Sequence, residues 1–135
     1  MKKIAIVYSD YYKDVTQGLL DSALSKSDEL NYEVSTYRVS GCMEIVFRVK
    51  ELLLEKKFDA VAVYGCVIEG ETFHNHLIQN NVYQFLMQLS LEFMCPIGFG
   101  ILTVKSYEQA LARSIGDKSR GHEAIEALDS LLINS

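Results

Sequence analysis

Four short apolar runs, separated by segments with helical periodicity, constrain the fold of this chain more than any other feature. The first, Lys3–Tyr8, is a continuous run of strand length, which is typical of a strand covered on both faces. The other three are Tyr32–Tyr37, Ala60–Tyr64 and Ile97–Leu102. Strands that alternate with helices in this way predict an α/β protein with a parallel sheet.

Between these runs, apolar residues recur at helical spacing, so each connection is predicted to contain a helix. Asp14 with Gln17, and Ser106 with Gln109, have the spacing of a capping box at a helix start. The side chains predicted to be buried by these helices are Val15, Leu19, Leu20, Ala23 and Leu24; Ile45, Val46, Val49, Leu52 and Leu53; Leu77, Ile78, Val82, Phe85, Leu86, Leu89 and Phe93; and Ile125, Leu128, Leu131 and Leu132. The order βαβαβαβαα predicts an α/β fold of three layers, α/β/α, around a four-stranded, mainly parallel flavodoxin-like sheet.

Length and composition indicate a single domain over residues 1–135, with an ordinary hydrophobic content of 49%. The net charge of −5 argues against a nucleic-acid partner. We expect no membrane segment, because none of the apolar runs approaches the roughly 20 residues of a spanning helix. Three widely spaced cysteines, Cys42, Cys66 and Cys95, indicate neither a disulfide framework nor a zinc knuckle. We therefore expect a cytoplasmic protein with reduced thiols.

Polar segments follow the carboxyl ends of the predicted strands, which is where open parallel sheets bind ligands. Tyr11 and Tyr12, after the first strand, offer flat surfaces for a ring. Glu44 offers a hydrogen-bond acceptor, and His74 can transfer a proton near neutral pH. The segments expected to meet at this edge are Ser9–Lys13, Ser40–Glu44, Gly65–His74 and Leu102–Ser106.

The predicted loop Gly65–His74 has the glycine spacing of a phosphate-binding P-loop. Glu71, however, stands where a lysine should follow Gly70, and a carboxylate there repels the phosphates of a nucleotide. Nucleotide hydrolysis is therefore not expected. Two interpretations remain open: backbone N–H groups that hold one anionic group at the helix start, or a plain strand–helix turn.

A metal site in the same loop is a weaker interpretation. His74 and His76 could ligate zinc with Cys66 or Glu71. A third ligand at a characteristic spacing is missing, so we predict no metal.

Phe99 and a basic cluster each allow two interpretations. Phe99 lies within a predicted strand, which favours core packing. The basic cluster consists of Arg113, Lys118 and Arg120. Such a cluster can be a solvated helix end whose cations suit the helix dipole, or the counter-charge for a phosphate. The residues alone leave both interpretations of the cluster open.

Four segments, in order along the chain, resemble those of the lumazine synthase family (6,7-dimethyl-8-ribityllumazine synthase). Gly65–His74 matches the family loop Gly-x-Val-Ile-x-Gly-Glu-Thr-x-His at every fixed position. Ser40–Val46 is similar to the family segment Pro-Gly-Ala-Phe-Glu-Ile-Pro, with serine and valine in place of the two prolines. Phe99–Thr103 and Glu108–Arg113 match Phe-Gly-x-Leu-Thr and Glu-Gln-Ala-x-x-Arg.

This resemblance implies a binding site for a pyrimidine that carries a ribityl chain. Tyr11 corresponds to an aromatic residue that stacks on the pyrimidine ring, and His74 to the histidine that transfers protons. The residues that would hold the ribityl chain and the ring are Cys42, Met43, Glu44, Cys66, Val67 and Ile68.

The resemblance also implies a phosphate site shared between subunits. Glu71 and Thr72 correspond to the turn whose backbone binds the substrate phosphate, and Arg113 to its arginine partner. Phe99 and Arg113 would come from the neighbouring subunit of a homopentamer. The chain starts at its first strand without the family's N-terminal arm, so we expect pentamers rather than larger capsids.

The implied reaction condenses 5-amino-6-(D-ribitylamino)uracil with 3,4-dihydroxy-2-butanone 4-phosphate, without a metal or organic cofactor. An imine forms, phosphate leaves, and the ring closes with loss of water. Met43 replaces the family phenylalanine, Glu69 a common arginine and His76 a usual aspartate. Met43, Glu69 and a basic loop after Arg113 that is one residue shorter than in the family motivate an alternative function, a catalytically weak paralogue that binds riboflavin or a ribityl-lumazine. A third hypothesis is an unrelated acid–base enzyme on the same scaffold.

Overall fold

The computed structural model describes residues 1–70 and 75–133, with only the helical backbone for residues 75–79. Its elements follow the predicted order. Strands β1 to β4 are Lys3–Ser9, Glu33–Val39, Ala60–Ile68 and Ile97–Val104, and helices α1 to α5 are Lys13–Glu29, Cys42–Glu55, Asn75–Phe93, Tyr107–Ser114 and Arg120–Leu132. Within the described ranges, no helix combines the length and the apolar character needed to cross a membrane.

The described strands form one sheet in the order β2-β1-β3-β4, and all neighbouring strands are parallel. The chain adds β2 on one side of β1 and then crosses to add β3 on the other side. This reversal opens a crevice at the carboxyl ends of β1 and β3. The predicted three-layer, flavodoxin-like fold is confirmed, and the sheet is parallel throughout.

The strands direct alternate side chains into two hydrophobic cores, one on each face of the sheet. From β1, Ile4 and Ile6 pack with α1, α4 and α5, whereas Ala5 and Val7 pack with α2 and α3. All nine residues of β3 are buried. Strands buried on both faces need continuous apolar runs, which explains why β1 and β3 are so prominent in the sequence.

Tyr64 fastens the last helix to the middle of the sheet. Its side chain is fully buried, and its hydroxyl donates a hydrogen bond of 2.9 Å to the carbonyl of Gly121 in α5. The ring lies over Gly100 of β4, where a Cβ atom would approach it to 2.3 Å. Burial raises the pKa of this phenol well above its ordinary value, so the hydroxyl remains a donor.

The loop predicted over Gly65–His74 is wrong in its first four residues, because Gly65–Ile68 continue β3 beside the end of β4. The backbone N–H of Glu69 then donates to the carbonyl of Val104 at 2.7 Å. Gly70 has a φ of +88°, a left-handed conformation that suits glycine and turns the chain. Of the two glycines in the P-loop pattern, Gly65 therefore lies within β3 and Gly70 lies in the turn after it, so they do not flank one loop.

The two predicted capping boxes have different outcomes. The Ser106 hydroxyl accepts a hydrogen bond of 3.1 Å from the backbone N–H of Gln109, as predicted. Asp14 does not cap its helix, because α1 begins one residue earlier, at Lys13. Tyr12 takes the N-cap position without a side-chain capping bond, and Asp14 lies in the first turn, where its charge suits the helix dipole.

Among the side chains that the structure describes, three from the predicted buried faces are exposed, namely Leu24, Phe85 and Leu131, at 40%, 51% and 59%. The side chains of Leu77 and Ile78 lie outside the described part. The apolar faces of these helices are wider than the surface that the sheet and its neighbours cover. Phe85 faces the α2–α3 groove, a depression of about 740 Å³ between α2 and α3. The groove is lined by Met43, Val46, Phe47, Lys50, Glu51, Leu54, Phe85, Gln88, Leu89 and Glu92.

Candidate active site

A cleft of about 190 Å³, here called the edge cleft, opens at the carboxyl ends of β1 and β3. It is lined by Ser9, Tyr11, Tyr12, Gly41, Cys42, Met43, Glu44, Cys66, Val67 and Ile68. The sheet brings these residues together from three segments of the chain, because parallel strands end at the same edge. Seven of the predicted binding residues are among them: Tyr11, Cys42, Met43, Glu44, Cys66, Val67 and Ile68.

One wall of the edge cleft comes from the three-residue connection between β1 and α1. Tyr11 is 73% exposed, and its ring packs edge-to-face on Tyr12 with a centroid separation of 4.9 Å. The ring of Tyr12 in turn contacts that of Tyr107, at the start of α4, with a separation of 6.4 Å. This packing leaves the Tyr11 ring available to stack on a flat ligand.

The opposite wall is the first turn of α2. Gly41 is the N-cap residue, and its carbonyl accepts a hydrogen bond of 3.1 Å from the backbone N–H of Glu44. The Ser40 hydroxyl donates to Oε1 of Glu44 at 2.8 Å. A carboxylate is therefore held at the mouth of the cleft, where it can accept hydrogen bonds from hydroxyl or N–H groups. The positive end of the helix dipole also favours a carboxylate in this turn.

The floor of the edge cleft depends on a close approach between α2 and β3. A Cβ atom on Gly65 would lie 3.0 Å from Sγ of Cys42 and 3.7 Å from Cβ of Ser9. A larger residue here would press on Cys42 and Ser9, so the close contact favours glycine in a strand whose backbone is regular. Burial raises the pKa of the Cys42 thiol to about 11. Hydrogen bonds with Cys66 and Ser9 lower this pKa by less than burial raises it, and the negative charge of Glu44 raises it slightly further. Cys42 is thus a neutral wall residue near pH 7 and not a thiolate nucleophile.

The lining suits one class of ligand. Tyrosine rings and the side chains at the end of β3 provide flat and apolar walls, and Glu44 provides the charged group among the lining residues described. Such a surface fits a heteroaromatic ring with a hydroxyl-bearing substituent.

Comparison with known proteins identifies the family. Residues 1–133 match the family profile of 6,7-dimethyl-8-ribityllumazine synthase. The chain belongs to the lumazine synthase family. It is similar to the 6,7-dimethyl-8-ribityllumazine synthase of Limosilactobacillus reuteri, with 42% identity over 128 residues, which are 93% of this chain and 82% of the relative. The protein of the same name from Kosmotoga olearia is 41% identical, over 93% of this chain and 81% of its own length.

A third relative, from Metallosphaera sedula, is also named 6,7-dimethyl-8-ribityllumazine synthase, and is 40% identical over 82% of this chain and 75% of its own. These matches confirm the lumazine synthase function and the transferase class predicted from the sequence. The segments predicted from the resemblance to hold the ribityl chain and the ring line the edge cleft.

Two predicted site residues lie outside the edge cleft of their own chain. Phe99 is half-buried in β4, and its ring packs edge-on against Tyr83 of α3 at 5.1 Å between centroids. Phe99 thus packs against the core from a half-buried position, and its role in a binding site stays a prediction. Arg113 is exposed in the last turn of α4. Neither residue is among those that line the cleft.

The remaining predicted residues of the lumazine synthase site, Glu71, Thr72 and His74, lie outside the described residues. They follow directly on Gly70, in the segment after the end of β3. Of the residues that are described, no three histidine, cysteine, aspartate or glutamate side chains form a metal-binding cluster.

Three lining residues are absent from the predicted substrate-binding set, namely Ser9, Gly41 and Tyr12, although Tyr12 was expected to offer a flat surface for a ring. All three lie in or beside segments expected at the carboxyl edge of the sheet, so the strand-end rule contains the signal for them. The salt bridge between Asp10 and Arg38 was also missed. These residues are 28 positions apart, and only the pairing of β1 with β2 brings them together.

Proposed function

We propose that the edge cleft is the pyrimidine-binding half of a lumazine synthase active site. The substrate is 5-amino-6-(D-ribitylamino)uracil, and its partner is 3,4-dihydroxy-2-butanone 4-phosphate. The observation that carries this proposal is that the predicted ribityl- and ring-binding residues, which come from three segments of the chain, line one cleft. The product is 6,7-dimethyl-8-ribityllumazine, an intermediate of riboflavin biosynthesis.

Each wall of the edge cleft has a proposed role in binding. Tyr11 stacks on the pyrimidine through its exposed ring. Glu44, held by Ser40, accepts hydrogen bonds from the ribityl hydroxyls. The apolar side chains that enclose the ring are Cys42, Met43, Cys66, Val67 and Ile68.

Phosphate binding and proton transfer are assigned to the segment after Gly70. We propose that the turn at Glu71 and Thr72 binds the phosphate of the butanone substrate, and that His74 transfers the protons. The amino group of the pyrimidine forms an imine with the ketone, with loss of water. Phosphate then leaves, and the second amine closes the ring with loss of another water. The residues position two reactive molecules, so catalysis needs no cofactor.

The site is proposed to be shared between subunits of a homopentamer. The edge cleft, at about 190 Å³, is smaller than the roughly 300 Å³ at which small-molecule pockets begin. Beyond the segment after Gly70, Phe99 and Arg113 of a neighbouring subunit are proposed to supply further walls, since neither residue is among those that line the cleft of its own chain. The α2–α3 groove gives a neighbour an apolar surface, in which Phe47 and Leu54 are 72% and 60% exposed. Three free cysteines suit the reducing cytoplasm as the location of this assembly.

Mixing two variants that are each impaired tests the shared site, with the ribitylaminouracil held below its KM. The Tyr11→Ala variant loses the proposed stacking residue, and the Arg113→Ala variant loses the proposed phosphate partner. Random mixed pentamers contain both intact residues in about one quarter of their sites, so the mixture should exceed the activity of either variant alone. A mixture no more active than the average of its components contradicts a shared site.

The proton-transfer role has a matched control two residues away. The His74→Ala change should lower kcat about 10²-fold or less, because positioning of the two substrates does much of the work and general acid–base catalysis is the smaller share. His76→Ala should leave kcat within about twofold, since His76 has no proposed chemical role. Equal losses in both variants would contradict the assignment of His74.

A further inference from the structure

A salt bridge joins the carboxyl ends of β1 and β2 next to the edge cleft. Nε of Arg38 donates to both carboxylate oxygens of Asp10, at 2.9 Å each. The carboxylate is the more enclosed partner, with 23% of the Asp10 side chain exposed against 57% for Arg38. Asp10 is the first residue after β1, and the next residue is Tyr11. The bridge therefore anchors the backbone that presents Tyr11 to the cleft.

We infer that Arg38 is a positioning residue for substrate binding, which acts through Asp10 to hold Tyr11 where it stacks on a flat ring. The inference rests on the proposed function of the edge cleft. It adds a residue that is not among those that line the cleft.

The other constraints on the connection act on Tyr12, which packs on Tyr107 and the core and whose carbonyl accepts a hydrogen bond of 3.0 Å from the backbone N–H of Thr16. The salt bridge acts on the opposite neighbour of Tyr11, Asp10. Tyr11 is 73% exposed and packs on Tyr12, which is itself part of the connection. The N-cap position of α1 has no side-chain capping bond.

The Thr16 hydroxyl in α1 donates to the Ser9 carbonyl at the end of β1, at 2.8 Å. This bond fixes the end of the strand but not the ring of Tyr11. A Tyr11 that is already ordered loses less conformational entropy when the substrate binds. The salt bridge should therefore increase the affinity for the substrate.

Stabilisation of the fold is a poorer explanation for this pair. Exposed salt bridges contribute little to folding stability, and the Arg38 guanidinium is more than half exposed. The hydrogen bond from Arg38 holds the pKa of Asp10 below its ordinary value, so the pair stays ionised at neutral pH. The same two strands carry a second ion pair, Lys3–Glu33, at 3.6 Å. It joins their other ends, far from the edge cleft, and serves as a matched control.

Steady-state kinetics test the inference. Arg38→Gln and Asp10→Asn should each raise the KM for the ribitylaminouracil about three- to tenfold with kcat within about twofold, since charge-assisted hydrogen bonds are the stronger kind. Glu33→Gln should leave both constants unchanged. The exchanged pair, Asp10→Arg with Arg38→Asp, should restore most of the lost affinity. An unchanged KM for Arg38→Gln, or an equal rise for Glu33→Gln, overturns the inference.

A second measurement does not depend on turnover. The chain contains no tryptophan, so Tyr11→Trp places a single indole at the position in question. Adding Arg38→Gln to this variant should lower the fluorescence anisotropy of the indole, and adding Glu33→Gln should not. If Arg38→Gln lowers the anisotropy but the unsubstituted protein makes no lumazine, the positioning role is supported and the proposed function is refuted. Normal turnover with unchanged anisotropy and KM refutes the positioning role alone.

Discussion

Replacing Gly65 by alanine should disturb the edge cleft through one contact. The new Cβ would lie 3.0 Å from Sγ of Cys42, whereas non-bonded heavy atoms prefer about 3.5–4.0 Å. Cys42 belongs to the first turn of α2 and packs against the core, so relief requires the Cys42 side chain, and with it the turn, to shift by a few tenths of an ångström. Overpacking costs about 1–3 kcal/mol, and alanine recovers about 0.5–1 kcal/mol of backbone entropy. We expect Gly65→Ala to lower the free energy of unfolding by about 1–2 kcal/mol.

The partner change isolates this contact. Cys42→Ala removes the sulfur and should cost about 1 kcal/mol by leaving a small void. In the double variant, the methyl groups of the two alanines at positions 65 and 42 fit together. The double variant should therefore be about 1–2 kcal/mol more stable than the sum of the two single changes predicts. Urea denaturation of all four proteins measures the cycle. The same cycle measured as KM for the pyrimidine substrate should show the coupling, because the shifted turn carries Glu44. Additive stability changes, or a fully stable Gly65→Ala variant, refute the reasoning.

Three further predictions concern the cleft and its support. Ser40→Ala frees the Glu44 carboxylate from its 2.8 Å hydrogen bond and should raise the pyrimidine KM about two- to fivefold in steady-state assays. Tyr64→Phe leaves the Gly121 carbonyl without its buried donor and should cost about 1–2 kcal/mol in urea denaturation, and a loss below about 0.3 kcal/mol argues against this bond. Finally, the pKa of the Cys42 thiol is 9.0 in the unfolded chain and is raised to about 11 in the folded protein. The folded state therefore keeps its full stability from this group below pH 9.0 and loses it as the pH rises towards 11. Cys42→Ala should therefore show a smaller fall in unfolding free energy over that interval, and an identical fall in both proteins contradicts the shift.

Much of the fold was predictable because its strands are covered on both faces. The continuous apolar runs at β1 and β3 are a direct consequence of that burial, and the helical periods between them require crossover connections. The ends of the strands were less predictable. β3 extends to Ile68 because β4 continues alongside it to Val104, and this pairing cannot be read from either segment alone. Phe85 has the pattern of a buried residue, but it lies in the α2–α3 groove, since periodicity does not tell what covers a helix face.

The site was predictable where it depends on strand ends and motifs. Tyr11, Glu44 and Cys66 come from different segments, and the parallel sheet brings them to one edge. The salt bridge between Asp10 and Arg38 was not predictable, because it depends on the register of β1 against β2. Local sequence therefore shows which residues reach the cleft, whereas the residues that hold them in place follow from tertiary pairing.

The most direct test of the central claim is the rate of 6,7-dimethyl-8-ribityllumazine formation, followed by absorbance, for the parent protein and its Tyr11→Ala variant. The parent should exceed the uncatalysed rate. Tyr11→Ala should raise the KM for the ribitylaminouracil about tenfold, the value of one aromatic stacking contact, and leave the KM for the butanone phosphate unchanged. Riboflavin binding without turnover would instead support a binding protein. Turnover with an unchanged KM in the variant would contradict the placement of the pyrimidine in the edge cleft.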